Sequence, residues 1–267
     1  NGRTFVFSKK DGQLKDVSVN NRKISFANGP RFIGARRADR SLDQFYNHDD
    51  EKAKAKDRTY SEFTDAAVFT KLDVKEEGGN LILTANYKLG NLDKAQWTIH
   101  PDGMATLDYT YNFSGVVDLM GICFDYPEEQ VLSKRWLGAG PYRVWQNRIH
   151  GAQYDIWEND YNDPIPGETF TYPEFKGYFG SVSWMSIRTK EGTISLTNET
   201  PDSYIGVYQP CDGRDRLLYT LPESGISVLN VIPPVRNKVN STDLCGPSSQ
   251  PKWVDGPQTG RLVLRFE

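Results

Sequence analysis

Apolar residues in this chain recur at every second position, not every third or fourth, and that period decides what it can fold into. Alternation runs through 68–74, 81–87, 104–113, 181–187 and 261–266. Side chains that alternate in this way point to opposite faces of a strand. Between the runs stand dipeptides suited to tight hairpins: Asp11-Gly12, Gly78-Gly79, Asp102-Gly103 and Glu191-Gly192. Short strands joined by such turns predict an all-β fold, either a sandwich or a barrel. No long stretch carries a 3.6-residue apolar period, and no internal repeat is visible.

The chain has 267 residues. A chain of that length buries roughly 70% of its extended surface, enough for a core without staples. No Pro/Ser-rich linker divides it, so 1–267 reads as one domain. Pro233-Pro234 and the stretch 245–257 read as loops. Aromatics make up 12% of the residues, which excludes disorder. A net charge of −3 argues against a nucleic-acid partner. The longest apolar runs are a handful of residues, too short for a membrane-spanning helix. The opening Asn-Gly, with no Met and no signal-like apolar region, reads as a piece of something longer or a mature form.

Two segments break the rhythm. The stretch 36–58 is dense in mixed charge and reads as a solvated excursion, with a substrate-gating loop as the sharper alternative. The stretch 158–167, "ENDYNDPIPG", reads as an acidic turn, with calcium ligation by its clustered carboxylates and amides as the alternative; it lacks the regular ligand spacing of a dedicated calcium loop. Of the three cysteines, Cys123 lies in the apolar run "LMGICFDY" and reads as core. Cys211 and Cys245 lie in loop-like sequence, where geometry alone decides whether they pair. Their spacing makes no zinc site, and neither a metal nor a cofactor is expected.

Autonomous catalysis finds little support. There is no GxSxG elbow, no HExxH helix and no phosphate-cradling glycine loop. The histidines are His48, His100 and His150, read as an exposed residue, a turn residue and a loop residue. Acidic candidates for a glycosidase pair are Asp49/Asp50, Glu128/Glu129, Glu158/Asp160, Glu174 and Asp243. Which of them lie the required roughly 5–10 Å apart is not a property of sequence. Solvated surface charge is the simpler account of each, and no catalytic residue is assigned.

The informative feature is aromatic and polar interleaving. The segment 134–148, "KRWLGAGPYRVWQNR", mixes Trp136, Tyr142 and Trp145 with Arg143, Gln146, Asn147 and Arg148. The segment 171–185, "TYPEFKGYFGSVSWM", adds Phe179 and Trp184 beside Glu174 and Lys176. Flat rings stack on sugar C–H faces, while amides, carboxylates and guanidinium groups read hydroxyls; a ligand pocket needs that mixture. Trp136 and Trp184 lie in strand patterns and read as core. Tyr142 and Trp145 follow the Gly140-Pro141 turn and are the better exposed candidates.

These residues carry a family resemblance. "WLGAGPYRVWQNR" resembles the W-x-G-x-G-P-x-E-N-Y-x-D-R signature of the C-terminal domain of family 2 glycoside hydrolases, the β-galactosidase small-chain domain. "YPEFKGYFGSVSW" is similar to that family's P-Q-E-N-G-N-R-x-x-V-x-W run, and the opening hairpin and "TIHPDGMATLDYTY" also fit it. The resemblance implies a large two-layer antiparallel sandwich of galactose-mutarotase-like fold. It further implies an accessory domain that helps wall a glycan site, with the catalytic glutamates on a barrel absent from this chain. A barrel of eight βα units would need about 250 residues of its own. Implied partners are therefore a carbohydrate and the catalytic barrel and sandwich domains of the same parent chain. A free-standing carbohydrate-binding module and, less well supported, an aldose 1-epimerase working through His100 and Glu174 are the alternatives. The candidate carbohydrate contacts are Tyr142, Arg143, Trp145, Asn147, Arg148, Glu174 and Trp253, the last in the loop 241–253. A periplasmic or extracellular location is the implied one. The chain departs from the pattern at Arg143 (Glu in the family), Trp145 (Tyr), Asn147 (Asp), Phe175 (Glu) and Phe179 (Arg). Charges change in both motifs together, which points to a coherent subfamily.

Overall fold

The computed structural model describes residues 2–37, 60–63, 67–161, 176–210, 221–234 and 247–267. Among them the regular structure is strand, apart from single 3-10 turns at Glu128–Gln130 and Pro247–Ser249. Sheet one contains β1 (Arg3–Phe7), β2 (Leu14–Val19), β3 (Arg22–Ile24), β4 (Ala27–Arg37), β5 (Tyr60–Glu62), β10 (Leu119–Asp125), β13 (Phe179–Gly180), β16 (Tyr204–Gly206) and β17 (Ile226–Val231). Sheet two contains β6 (Val68–Glu77), β7 (Asn80–Lys88), β8 (Leu92–Ile99), β9 (Ala105–Val117), β11 (Val131–Gly140), β12 (Gln153–Asp160), β14 (Trp184–Thr189), β15 (Thr193–Asn198) and β18 (Lys252–Phe266). Neighbouring strands pair antiparallel throughout.

All four expected hairpin turns join consecutive strands. Gly78 and Gly79 have φ of 59° and 80°, the left-handed pair that a two-residue turn between right-twisting strands requires. Asn20 and Asn21, at 50° and 63°, turn β2 into β3 in the same region without a glycine to announce it. Asparagine tolerates that conformation better than most side chains.

Two boundaries differ from expectation. The 181–187 run becomes a strand only at Trp184, because Ser181 takes φ 50° and breaks the extended backbone. The stretch 245–257 is not all loop: β18 begins at Lys252 and runs through Gly256 and Pro257. Over 252–261 the strand pairs with β9 alone, since β15 reaches only from Leu262 to Phe266. A proline is tolerated there because, among the described residues, one edge of the strand has no paired neighbour.

The two sheets close on a shared apolar core. By ring centroids, Phe5 lies 5.9 Å from Phe266, Phe7 5.7 Å from Trp97 and Phe32 5.4 Å from Tyr111, each pair crossing from sheet one to sheet two. Sheet one is covered on its other face as well. Ile33, Ala35, Leu119, Cys123 and Leu229 form a second cluster there with Val144, Trp145 and Tyr178. This double cover explains why "LMGICF" is a continuous apolar run and not an alternating one. Gly121 in that run is required by close approach: a Cβ would collide with the Val228 carbonyl of β17.

Candidate functional site

The 136–148 motif leaves sheet two where β11 ends. Glycines end the strand because neighbours crowd it: a Cβ on Gly140 would meet the Trp157 ring, and one on Gly138 the Val182 backbone at 3.0 Å. The chain then turns across to sheet one. Val144 and Tyr178 exchange two main-chain hydrogen bonds of 2.7 and 2.9 Å. The Arg148 N–H closes a tight turn on the Trp145 carbonyl at 2.9 Å.

That path buries two candidates, and for Trp145 it reverses the expected exposure. Trp145 is 1% exposed, edge-on to Tyr178 at 5.8 Å, because it covers the second face of sheet one. It presents no ring face to solvent. Arg143 is 5% exposed; its guanidinium lies 5.2 Å from the Tyr208 ring centroid and donates to the Gly177 carbonyl at 3.4 Å. Two aromatic faces replace water around this cation. Trp136 is fully buried, as expected, whereas Trp184 is only partly covered. Tyr142 and Asn147 are half-buried and Arg148 is exposed.

Gln146, named among the polar residues of the segment but left out of the candidate contacts, fills an unspecified position of the motif. It is 7% exposed, and its amide nitrogen donates to the carbonyls of Ser248 (2.9 Å) and Gln250 (2.7 Å). Its own N–H reaches the Pro233 carbonyl at 3.1 Å. Asn147 adds a 3.5 Å bond to the Ser249 hydroxyl. One side chain thus fastens the motif to the segment that leads into β18.

Trp253 is 70% exposed, the most open tryptophan described. It is not in a loop: it is the second residue of β18 and pairs with Val116. Alternation along a strand puts it on the face opposite Lys252. Glu174, Cys211, Cys245, Asp49, Asp50, Asp243, His48, residues 162–167 and residues 38–58 of the charged stretch lie outside the described residues. Glu158 and Asp160 sit on the edge strand β12. Glu128 accepts hydrogen bonds from the Tyr161 hydroxyl and the Gln209 N–H. His100 engages Asn80 (3.2 Å) and Thr106 (2.8 Å) at the rim of the β8–β9 hairpin.

Beside the motif, between the ends of the two sheets, opens a cavity of about 620 Å³. Val144 and Ile149 border it from the motif side, Tyr204 and Asn230 from sheet one, and Lys252 from the start of β18. The turn after β15 supplies Glu199 and Asp202.

Residues 1–229 match the family model of the beta galactosidase small chain. The chain belongs to that family. No curated protein matches it by sequence. Among solved structures, a GalM/aldose epimerase homologue from C. elegans is similar over 100% of this chain and 96% of its own, with 9% identity and a TM-score of 0.43. An amine oxidase of Aspergillus nidulans is similar over 99% of this chain and 50% of its own, with 8% identity and a TM-score of 0.34.

Within the small-chain family, the departures from the usual pattern have a spatial logic. Arg143 stands where the pattern has Glu and Phe179 where it has Arg, and these two side chains face each other, guanidinium carbon to ring centroid 6.0 Å.

Proposed function

We propose that this small-chain domain is the C-terminal accessory part of a family 2, β-galactosidase-like glycoside hydrolase. In this reading it contacts carbohydrate and helps to shape the glycan site of a catalytic barrel carried elsewhere in the parent chain. The observation that supports it best is the Gln146 fastening, which sets the signature motif against the segment entering β18. Of the candidate contacts in the motif, Tyr142, Asn147 and Arg148 then keep accessible atoms, while Arg143 and Trp145 hold the turn from beneath. Glu174 and Trp253 stay in the proposed contact set, Trp253 as an open ring on a separate face. Accessory walls of this kind act through orientation: a displaced positioning group costs rate without removing the chemistry.

The test uses the full-length gene product and an aryl β-galactoside. Asn147→Ala with Arg148→Ala is expected to raise KM several-fold, and the 267-residue chain by itself is expected to leave the substrate intact. Unchanged kinetics in the double variant, or hydrolysis by the isolated chain, refutes the reading. The free-standing binding module is the second reading; the cavity beside the motif favours it, because polar and apolar side chains converge there.

A further inference from the structure

We propose that the cavity between the sheet ends is a saccharide subsite belonging to this domain itself, shaped for one or two uncharged sugar rings. The proposal rests on the carbohydrate reading above but needs no residue of a barrel. Three observations carry it.

The first is a preorganised wall. The 198–203 turn satisfies its own polar groups: the Asn198 amide donates to Ser203 Oγ (2.9 Å) and the Val182 carbonyl (3.2 Å), and its oxygen accepts the Thr200 N–H (3.1 Å). Ser203 Oγ donates to the Thr200 carbonyl at 2.8 Å, and the Arg261 N–H bonds Thr200 Oγ1 at 3.1 Å. Asp202 sits at φ 48°, a strained position that this bonding holds in place. A wall fixed in this way loses little freedom when a ligand arrives.

The second is an oriented donor. The Tyr111 hydroxyl, wholly buried, donates to Asn230 Oδ1 at 2.6 Å. Burial keeps that phenol protonated far into alkaline conditions, so it acts as a permanent donor. That bond takes one lone pair of the amide oxygen and orients the side chain of Asn230, a lining residue of the cavity whose NH2 makes no bond among the described residues.

The third is charge. Glu199 and Asp202 outnumber Lys252 on the wall. Carboxylates accept from sugar hydroxyls, and the amide and ammonium donate to ring and hydroxyl oxygens. The same carboxylates repel phosphate or uronate. Tyr204, Val144, Ile149 and Pro201 supply the apolar surface, and about 620 Å³ suits a ligand of this size.

Calorimetric titration and saturation-transfer NMR of the protein with methyl β-D-galactopyranoside, methyl β-D-glucopyranoside and D-galacturonate test the proposal. Saturable millimolar binding of a neutral glycoside is expected, at least fivefold tighter than galacturonate. Asn230→Ala and Asp202→Asn should each weaken it at least fivefold. Asp202→Asn keeps a residue suited to positive φ on a surface turn, so it stays folded even if Asn230→Ala does not. No saturable binding of either neutral glycoside, binding that survives either substitution, or galacturonate binding as well as the neutral sugars overturns the proposal. The hydrolysis assay above fails or succeeds separately, since it reads motif variants in the full-length product.

Discussion

The guanidinium carbon of Arg143 lies 6.0 Å from the ring centroid of Phe179, joining the two signature motifs across the fold. The family pattern carries Glu and Arg at these positions. In this chain the Arg143 guanidinium lies over the rings of Phe179 and Tyr208. Arg143→Glu alone is expected to destabilise by about 3–5 kcal/mol, since it buries a carboxylate against ring faces. Arg143→Glu with Phe179→Arg should recover at least ~1 kcal/mol of that loss. A double-mutant cycle by urea unfolding measures the coupling, and simple additivity would refute the pairing.

The Gln146 fastening should matter for order near the C-terminal end. Gln146→Ala leaves the carbonyls of Ser248 and Gln250 without these donors and should cost about 1–3 kcal/mol. Hydrogen exchange ought to accelerate at 247–252 while the β9–β18 ladder farther along stays protected. Uniform exchange across the protein would show that the fastening is incidental.

Two tryptophans with similar sequence credentials should behave oppositely. Trp145→Ala empties a covered site and should cost about 3–5 kcal/mol. Trp253→Ala removes an open ring and should change stability by less than about 0.5 kcal/mol. Thermal or chemical unfolding of both variants decides the matter; equal losses would contradict the burial described.

Alkaline pH should weaken the fold. Burial pushes the Cys123 thiol up to about 11 from an ordinary 9.0, although Arg31 opposes the shift. Burial likewise raises the Tyr109 phenol to about 12 from 10.0, opposed by its hydrogen bond to Thr200. Both groups hold their protons more tightly folded than unfolded. Their stabilisation is complete below pH 9 and is lost as pH rises through 11 and 12. The urea midpoint should fall over that window, and less steeply in Cys123→Ala. A midpoint that rises from pH 9 to 11 would rule this out.

Much of the fold was legible because its signals are local. A hairpin needs residues that accept positive φ, so Gly78-Gly79 announces itself; Asn20-Asn21 does the same job with a weaker signal. Strand boundaries failed where one residue's backbone or one missing neighbour decided them, as at Ser181 and at Pro257. The site was less legible. Trp145 follows a turn, which ordinarily means exposure, yet an apolar second face of sheet one lay waiting for it.

From sequence alone came the all-β class, the hairpins, the signature motif and the family it resembles, because alternation, turn chemistry and motif spacing are properties of neighbouring residues. Tertiary structure alone decided that Arg143 rests against Phe179 and Tyr208, that Gln146 holds a segment more than a hundred positions away, and that Asn230 accepts from Tyr111 at the lining of a cavity. Whether a side chain is covered, bonded or open depends on what crosses over it, and in a sandwich the crossing partner comes from a distant strand.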